Sequence, residues 1–425
     1  MKKINVVTLG CSKNTVDSEH LAAQLAAAGY QIVFDSNRTD AKVVVINTCG
    51  FIGDAKQESI DTILRFAAAK EQGLIERLFV IGCLSERYAD ELRAEIPEVD
   101  DYFGARDMQG IARVLCAAGD PDTSTERLTS TPKHYAYLKI AEGCNWHCGY
   151  CAIPLIRGPH RSVPMERCVE EAERLAAQGV RELIVIAQDT TYYGRDLYGR
   201  RALAELLEKL CKVEGIEWIR LHYAYPTDFP QDVIEVMARE KKICPYLDIP
   251  FQHISDHQLT LMKRRHTKAD AYALIERLRA AVPDLALRTT LLVGYPDETE
   301  EDFEATLDVL RRVRYDMVYS FIYSPRSGTP AAQMADQIPE DVKGERLRRL
   351  LELQKQIAEE KNAELLGTEQ RVLCYGTSKN NDGMLEGRTE GNKIVLFKGD
   401  SDLEGKYVNV KITETHPFVM YGEKY

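Results

Sequence analysis

The N-terminal part of the chain repeats one pattern, in which an apolar run leads to a cysteine and then to an amphipathic segment. The three runs end at Cys11, Cys49 and Cys83. Continuous runs of β-branched residues are typical of buried parallel strands, and the helical periodicity after them, as in residues 18–28 before Gly29, predicts crossover helices. We therefore predict a doubly wound parallel α/β domain.

The middle of the chain alternates short apolar runs with helical patterns such as those of residues 201–212 and 271–281. Six strands alternating with helices are typical of a partial (β/α) barrel, whose site lies at the carboxyl ends of the strands. The predicted strands are residues 137–141, 183–187, 219–224, 246–249, 287–293 and 317–322.

The C-terminal part starts with a long amphipathic helix, predicted over residues 341–366. Short β-rich runs punctuated by glycines follow it, and they indicate a small antiparallel β-barrel, a fold that often binds nucleic acid. The strands of this barrel are predicted at residues 371–373, 394–397 and 407–412.

A polar stretch at residues 120–126 predicts a linker or surface loop. A chain of 425 residues is long enough for two or three domains with their own cores. We predict three domains, at residues 1–120, 130–360 and 361–425.

Composition and charge limit the partners of the protein. No stretch has the roughly 18–20 consecutive apolar residues of a membrane span, and the first residues lead straight into a strand, so we expect no signal peptide and a cytoplasmic protein. The net charge of the chain is −11. The residues from Lys361 onward include nine Lys or Arg and ten Asp or Glu, so this part is also slightly acidic. A basic protein is a better electrostatic partner than a polyanion, although an acidic average leaves room for a local basic patch.

Cys144, Cys148 and Cys151 offer three thiolates from one short loop. A cubane iron–sulfur cluster normally takes four cysteines, so one held by three keeps an iron open. A zinc site with His147 or His160 as fourth ligand is the alternative, but no second cysteine pair follows. The spacing, with Tyr150 before the last cysteine, resembles the signature of radical S-adenosylmethionine enzymes, which implies that the open iron binds the cofactor.

Cys11, Cys49 and Cys83 form a second candidate set. The loops after parallel strands share one edge of the sheet, so we expect these thiols to converge there, next to helix N-termini that favour a negative cluster. A single cysteine at a strand end is as often a packing residue, but three in equivalent positions predict a second three-cysteine cluster. The other cysteines are predicted to be packing residues: Cys116, Cys168, Cys211, Cys244 and Cys374.

Polar residues follow several predicted barrel strands and are candidates for a cofactor pocket, although each could equally cap the next helix. Radical S-adenosylmethionine enzymes commonly carry Gly-Gly-Glu after the second strand, where this chain has Ala187-Gln188-Asp189. This likeness in position makes Gln188 and Asp189, together with Tyr150, our cofactor-binding candidates. The other polar motifs are His222-Tyr223, Gln252-His253 and residues 294–299.

Taken together, a three-cysteine domain, a radical S-adenosylmethionine domain and a TRAM-like barrel resemble the methylthiotransferase family over essentially the whole chain. One branch acts on tRNA adenosine and another on an aspartate of ribosomal protein S12. The runs GCSKNTVDSE (residues 10–19), QDTT (188–191) and LHYAYP (221–226) are similar to the second branch.

The resemblance implies two 4Fe–4S clusters and S-adenosyl-L-methionine as cofactors, with a reduced donor such as ferredoxin or flavodoxin. It implies hydrogen abstraction from the β-carbon of the aspartate followed by methylthiolation, with no side chain as catalytic acid or base. Three alternatives stay open at this point: tRNA methylthiolation, a non-catalytic cluster carrier, and a protein that uses its barrel to bind RNA.

Overall fold

The structure is a computed structural model, and it describes residues 2–37, 40–116, 126–379 and 383–425. The chain forms two compact units. The first contains Met1–Thr131, Tyr137–Trp146 and Ala152–Arg174, and the second contains Pro132–Ala136, His147–Cys151 and Leu175–Tyr425. The stretch predicted as a linker, residues 120–126, lies outside the described residues except for Glu126. The three predicted domain boundaries stay predictions.

The first unit contains a five-stranded sheet with the order β2-β1-β3-β4-β5, in which all pairs are parallel. The prediction of a doubly wound parallel domain is therefore confirmed. The strands are β1 (Lys3–Thr8), β2 (Gln31–Phe34), β3 (Val43–Thr48), β4 (Arg77–Gly82) and β5 (Asp101–Tyr102). The helices are α1 (Ser12–Ala27), α2 (Gly53–Glu71), α3 (Cys83–Glu95) and α4 (Met108–Leu115).

Both faces of this sheet are buried. Val45 and Ile46 are neighbours on β3, yet they belong to different apolar clusters. The cluster around Val45 includes Leu21 of α1, and the cluster around Ile46 includes Ile63 of α2. Because successive residues of a strand point to opposite faces, helices cover the sheet on both sides, which explains the unbroken apolar runs in the sequence.

Two details of the first unit differ from the prediction. Helix α1 begins at Ser12, directly after Cys11, and not near residue 18. Its first turns carry buried polar residues such as Asn14 and Asp17, so the apolar periodicity begins later than the helix itself. The short strands β2 and β5 were not predicted, because β2 is only half-buried and β5 has two residues.

A buried ion-pair network fixes the segment after residue 126 within the first unit. The Arg127 guanidinium lies between the carboxylates of Glu19 on α1 and Glu171, and Nη1 is 2.6 Å from Glu171 Oε1. The Glu19 carboxylate also accepts hydrogen bonds from the backbone N–H of Ser130, at 2.6 Å, and from its hydroxyl, at 2.9 Å. Since buried charges are tolerated only when they are paired, removal of Arg127 would leave two unpaired carboxylates.

The region that contains the cysteine-rich loop alternates strands and helices as predicted. A six-stranded sheet has the order β13-β12-β11-β10-β9-β6, and it is open, since β6 and β13 are its edges. Its strands are β6 (Tyr135–Lys139), β9 (Glu182–Ile186), β10 (Trp218–Leu221), β11 (Ile243–Asp248), β12 (Ala286–Val293) and β13 (Met317–Ile322), and a short pair is formed by β7 (Ala141–Glu142) and β8 (Arg161–Ser162). The helices are α5 (Ile153–Arg157), α6 (Met165–Ala177), α7 (Leu203–Leu210), α8 (Gln231–Arg239), α9 (Asp256–Leu261), α10 (Lys268–Ala281), α11 (Glu300–Val313) and α12 (Glu340–Ala363).

The C-terminal residues of the second unit form a closed five-stranded barrel, which confirms the predicted small β-barrel. Leu373 of this barrel packs in one apolar cluster with Trp218 and Tyr246 of the six-stranded sheet. The buried Arg220 guanidinium donates to the backbone carbonyl of Glu390, at 2.6 Å. The barrel strands are β14 (Glu369–Thr377), β15 (Leu385–Thr389), β16 (Ile394–Phe397), β17 (Tyr407–Thr415) and β18 (Met420–Lys424). In the described ranges no helix is both long and apolar enough to cross a membrane.

Candidate functional site: two cysteine trios

The first trio follows three neighbouring parallel strands. Cys11, Cys49 and Cys83 come after the ends of β1, β3 and β4, which are adjacent in the sheet. A Cβ atom on Gly10 would lie 2.6 Å from the Cβ of Cys49, so only glycine fits at this position. The charges of Cys11 and Cys49 both raise the pKa of Cys83. The convergence of the three thiols on one cluster stays a prediction.

Helix N-termini surround this trio. Cys11 is the N-cap residue of α1, without a side-chain capping bond, and Cys83 is the first residue of α3. Cys49 is held by Ser59 of α2, whose hydroxyl oxygen accepts a hydrogen bond from the Cys49 N–H at 3.0 Å. The unpaired N–H groups of a helix N-terminus favour negative charge, and therefore thiolates.

Arg157 provides a full positive charge beside this trio within the first unit. Its Nη2 lies 3.4 Å from the Cys83 sulfur, and it also donates to Asn14 Oδ1. Burial raises the pKa of the Cys83 thiol to about 11, while the charge of Arg157 and its hydrogen bond act in the opposite direction. A metal-bound cysteine must be a thiolate, so a cation at this point favours ligation.

The charge of Arg157 is compensated by two carboxylates. Its Nη1 lies 2.7 Å from Asp17 Oδ2 and 3.1 Å from Glu142 Oε2. Lys139 forms ion pairs with the same two carboxylates. Two cations and two carboxylates therefore make a neutral group, in which Arg157 is the member that contacts a cysteine.

In the second trio, Cys144 belongs to the first unit and Cys148 and Cys151 to the second. The Cys144 N–H donates to the carbonyl of Gly158 at 3.1 Å. The preceding Gly143 has φ +78°, and a Cβ there would lie 2.1 Å from the carbonyl oxygen of Pro159. The glycine before the first cysteine is therefore required by both backbone conformation and space.

Backbone hydrogen bonds hold the part of the loop that carries Cys148 and Cys151. The Cys151 N–H donates to the Cys148 carbonyl at 3.0 Å, which makes a tight turn. The Gly149 N–H donates to Met262, and its carbonyl accepts from Ala331, each at 2.9 Å. A side chain at Gly149 would lie 2.6 Å from the Tyr295 hydroxyl.

Arg264 is the cation beside Cys148. Its Nη1 lies 3.6 Å from the Cys148 sulfur and 3.3 Å from the Tyr150 hydroxyl. The guanidinium carbon is 4.1 Å from the centre of the Tyr225 ring, and the hydroxyl of Tyr225 is 3.8 Å from the same sulfur. Burial raises the pKa of Tyr150 well above its usual value, and the charge of Cys148 raises it further. Tyr150, a predicted cofactor-binding residue, is therefore neutral and lies within the ligand loop.

The other two predicted cofactor residues behave differently from Tyr150. Asp189 is buried, and its Oδ1 accepts from the Thr191 N–H at 2.9 Å and from the Thr191 hydroxyl at 2.7 Å. It also accepts from the Tyr225 N–H at 3.3 Å, so in this structure it caps a turn. Gln188 is half-buried at the end of β9. A cofactor role for either residue stays a prediction.

The polar motif of residues 294–299 is built around one buried carboxylate. Glu298 accepts from the Gly294 N–H at 2.7 Å and from Arg346 Nη1 at 2.7 Å, and it lies 3.1 Å from His253 Nε2. His253 Nδ1 accepts from the N–H of Ile254 at 2.9 Å, so the ring carries its proton on Nε2. Sequence reasoning placed these groups at one edge, and the structure joins Gly294, Glu298 and His253.

Several residues at the strand ends have positive φ angles. Tyr223 has φ 60°, Gln252 has φ 71° and Asp297 has φ 62°. Such conformations are costly for residues other than glycine and occur often at functional sites. All three residues belong to motifs that the sequence analysis selected.

Arg157 and Arg264 were missed by sequence reasoning. Their partners Cys83 and Cys148 lie 74 and 116 positions away in the chain, so no local pattern marks them. Of the five cysteines predicted to be packing residues, Cys168, Cys244 and Cys374 are buried, whereas Cys116 and Cys211 are only half-buried. His160, considered as a zinc ligand, has its Nε2 3.0 Å from the Ser162 hydroxyl.

Within the part of the chain that the structure describes, no group of three or more His, Cys, Asp or Glu side chains could hold a metal ion as arranged. The fit of an iron–sulfur cluster therefore depends on the chemistry of the donors. Both trios supply soft sulfur ligands, and each has a buried guanidinium within 3.6 Å of one sulfur. These groups fit a negatively charged cluster.

Comparison with protein-family models divides the chain into three matched regions. Residues 3–104 match "Uncharacterized protein family UPF0004", residues 138–310 match the "Radical SAM superfamily" and residues 363–424 match the "TRAM domain". The radical S-adenosylmethionine methyltransferase TsrM from Kitasatospora setae, solved with cobalamin and a 4Fe–4S cluster, has a related fold. Its TM-score is 0.58 at 14% identity, over 78% of this chain and 74% of that chain. The fold and the matched domains define a radical S-adenosylmethionine enzyme that uses an iron–sulfur cluster.

Two relatives define the group within this class. "Ribosomal protein uS12 methylthiotransferase RimO" of Flavobacterium psychrophilum is 50% identical over 99% of this chain and 98% of the relative. The protein with the same name from Bacteroides fragilis is 46% identical over 99% of each chain. The chain belongs to the RimO family of methylthiotransferases.

Proposed function

We propose that this protein attaches a methylthio group to the β-carbon of an aspartate in ribosomal protein uS12, with one 4Fe–4S cluster on each cysteine trio. Its membership of the RimO family at 50% identity over nearly the full length is the observation that carries the proposal. The match to enzymes of uS12 does not favour the tRNA alternative, and the net charge of −11 suits a basic protein substrate.

Each trio has a separate role in this proposal. When bound, the cluster on Cys144, Cys148 and Cys151 supplies reductive cleavage of S-adenosylmethionine, and the cluster on Cys11, Cys49 and Cys83 supplies the sulfur. The protein contributes position and charge. The loop of Cys148 is fixed by backbone hydrogen bonds, and Arg264 and Arg157 stabilise the thiolates of Cys148 and Cys83.

Three further assignments belong to the proposal. Tyr150, Gln188 and Asp189 are the candidates for contact with S-adenosylmethionine, and Tyr150 is supported by its place in the ligand loop beside Arg264. A reduced ferredoxin or flavodoxin provides the electron. The protein works in the cytoplasm, where a ribosomal protein substrate is found.

The experiment that tests the proposal is anaerobic reconstitution with iron and sulfide, followed by incubation with reductant, S-adenosylmethionine and either purified uS12 or tRNA. Mass spectrometry should show a gain of one methylthio group on one aspartate of uS12, and none on tRNA. Modification of tRNA alone would overturn the proposed substrate. Absence of 5′-deoxyadenosine from both reactions would favour a cluster carrier.

A further inference from the structure

One face of the six-stranded sheet is open on the edge strand β13. Tyr319 and Phe321 are 44% and 45% exposed, whereas Val318 between them is 9% exposed. Helix α12 packs on β13, and its Gln354 donates to the Tyr315 carbonyl at 3.2 Å. Since side chains alternate along a strand, Tyr319 and Phe321 lie on the face away from α12.

Arg288 of β12 lies on this open face. Its guanidinium carbon is 4.5 Å from the centre of the Tyr319 ring and 5.8 Å from the centre of the Tyr246 ring. Its side chain is 8% exposed. A cation that deep in a sheet is costly to desolvate, so it needs anionic or hydrogen-bonding partners.

The partners present use only a small part of the hydrogen-bonding capacity of Arg288. Nη2 donates to Asp248 Oδ2, and Nε is buried without a partner in the described ranges. A guanidinium has five N–H donors in a planar fork that suits a carboxylate. Asp248 therefore accounts for the charge of Arg288 but leaves donors for a second acceptor.

Arg288 is linked through Asp248 to the segment that contacts the cysteine loop. It pairs in register with Asp248, the last residue of β11, on one side and with Met317, the first residue of β13, on the other. The Asp248 carbonyl accepts from the Ala224 N–H at 2.9 Å. The next residue, Tyr225, has its hydroxyl 3.8 Å from the Cys148 sulfur. The segment that contacts the cysteine loop is thus bonded to the residue that pairs with Arg288.

We propose that Arg288 binds the side-chain carboxylate of the target aspartate and thereby determines specificity. This inference rests on the proposed function, because it requires an aspartate as substrate. A carboxylate supplies the acceptor oxygens that the free donors of Arg288 lack, and the rings of Tyr319 and Tyr246 pack beside the guanidinium at 4.5 and 5.8 Å. An adenine base has no negative charge, so the arginine would form no ion pair with it.

The test compares binding of purified uS12 with binding of uS12 whose target aspartate is changed to asparagine, by titration of reconstituted protein in the presence of S-adenosylmethionine. For the unmodified enzyme we expect roughly tenfold or tighter binding of the aspartate form, since hydrogen bonds to charged groups contribute that much. Arg288→Gln should lose this preference. Asp248→Asn should keep it, because the arginine is still present.

A double variant tests whether a loss of preference in Arg288→Gln is caused by misfolding. Arg288→Gln leaves Asp248 buried and unpaired, whereas Arg288→Met combined with Asp248→Asn removes both charges and fills similar volume. This double variant must also lose the preference. The control is Arg312→Gln, since Arg312 is 58% exposed and its guanidinium lies 4.4 Å from the centre of the Tyr272 ring. It should bind both forms as the unmodified enzyme does.

The outcomes separate the two proposals. If Arg288→Gln or the double variant still binds the aspartate form of uS12 more tightly than the asparagine form, to the same degree as the wild type, the inference is overturned. This holds even when uS12 is methylthiolated normally. Failure of the unmodified enzyme to modify uS12 at all contradicts the proposed function instead, whatever the binding data show.

Discussion

Each cysteine trio has one buried arginine beside one of its sulfur atoms, but the two arginines are held by different partners. Arg157 contacts Cys83 and is paired with Asp17 and Glu142. Arg264 contacts Cys148, and its other contacts in the described residues, with the Pro250 carbonyl, Tyr150 and Tyr225, are to neutral groups. The first arginine is part of a neutral network, whereas the second brings a positive charge that no carboxylate of the described residues compensates.

This difference shows that a buried arginine beside a cysteine ligand can act in two ways, by holding the site in position or by changing its electrostatic potential. A compensated arginine contributes chiefly position, since its removal leaves Lys139 as the one remaining cation that the structure shows paired with Asp17 and Glu142. An uncompensated arginine contributes chiefly potential, because nearby charge is one of the factors that set the reduction potential of a cluster. We expect the two sites to respond differently to the same substitution.

The largest effect should come from removal of one ligand from each trio. Cys148→Ala should abolish release of 5′-deoxyadenosine, because the cofactor-cleaving cluster loses a ligand. Cys49→Ala should keep that release but stop methylthiolation, because only the sulfur-supplying cluster is lost. Chromatography of 5′-deoxyadenosine and mass spectrometry of uS12 measure the two activities, and full methylthiolation by Cys49→Ala would refute the assignment. Cys374→Ala, a packing cysteine buried in the β-barrel, is the control.

The next effect concerns stability. Arg157→Gln should lower the free energy of unfolding by about 3 kcal/mol, the lower end of the loss expected for a broken buried ion pair, because Lys139 stays paired with Asp17 and Glu142. Arg106→Gln is the matched control, because Arg106 is 54% exposed and pairs with Glu86, so its loss should be about 1 kcal/mol or less. Denaturant titration of the apo proteins compares them. Equal stability of the two variants would show that the Arg157 network does not hold its site together.

A smaller effect is expected on the reduction potential of the cluster held by the second trio. Arg264→Gln should lower the midpoint potential of the cluster on Cys148, since removal of a positive charge disfavours the reduced and more negative state. We expect a shift of roughly 60 mV, equivalent to a tenfold change in a one-electron equilibrium. Arg264→Lys, which keeps the charge, should shift less. Redox titration followed by electron paramagnetic resonance provides the measurement, and an unchanged potential in Arg264→Gln would contradict the comparison.

The smallest effect is a pH dependence near Arg264. Burial, together with the charge of Arg264, lowers the pKa of His266 to about 3. Both ring nitrogens lack a hydrogen-bond partner among the residues described, and the ring packs on Phe251 at 5.8 Å. The unfolded chain binds the proton near pH 6.5 and the folded one only near 3, so stability is full above 6.5 and falls as the pH drops towards 3.

His266→Phe isolates this contribution, because it keeps the ring packing and removes the titration. Between pH 7 and 5 the wild type should lose roughly 2 kcal/mol of unfolding free energy more than the variant. Denaturant titrations at both pH values measure the difference. Parallel losses in the two proteins would show that His266 does not titrate as its surroundings indicate.

The sequence was sufficient for features that depend on local pattern. The buried strands β1, β3 and β4 were predicted from continuous β-branched runs. The predicted bounds of β13 are the same as the observed ones. The cysteine trios were predicted because ligand type and position repeat. Strands β15 and β18 were not predicted, because Gly387 and Gly422 interrupt their patterns and pack closely against neighbouring strands.

The features that sequence reasoning missed depend on contacts between distant residues. Nothing near Arg157 indicates that it meets Asp17, which lies 140 positions away. The same holds for Arg288, whose role depends on register with Asp248 and on the open face at Tyr319. Pairing across a sheet and burial of a charge emerge only when the fold is known.

The central claim is that each trio carries its own cluster, and iron counting tests it most directly. Two triple alanine variants, one of Cys11, Cys49 and Cys83 and one of Cys144, Cys148 and Cys151, are reconstituted anaerobically beside the wild type, and iron is measured with Mössbauer spectra. The account predicts that each variant keeps about half of the wild-type iron, all of it in one 4Fe–4S cluster. A first-trio variant with the full iron content of the wild type would contradict it.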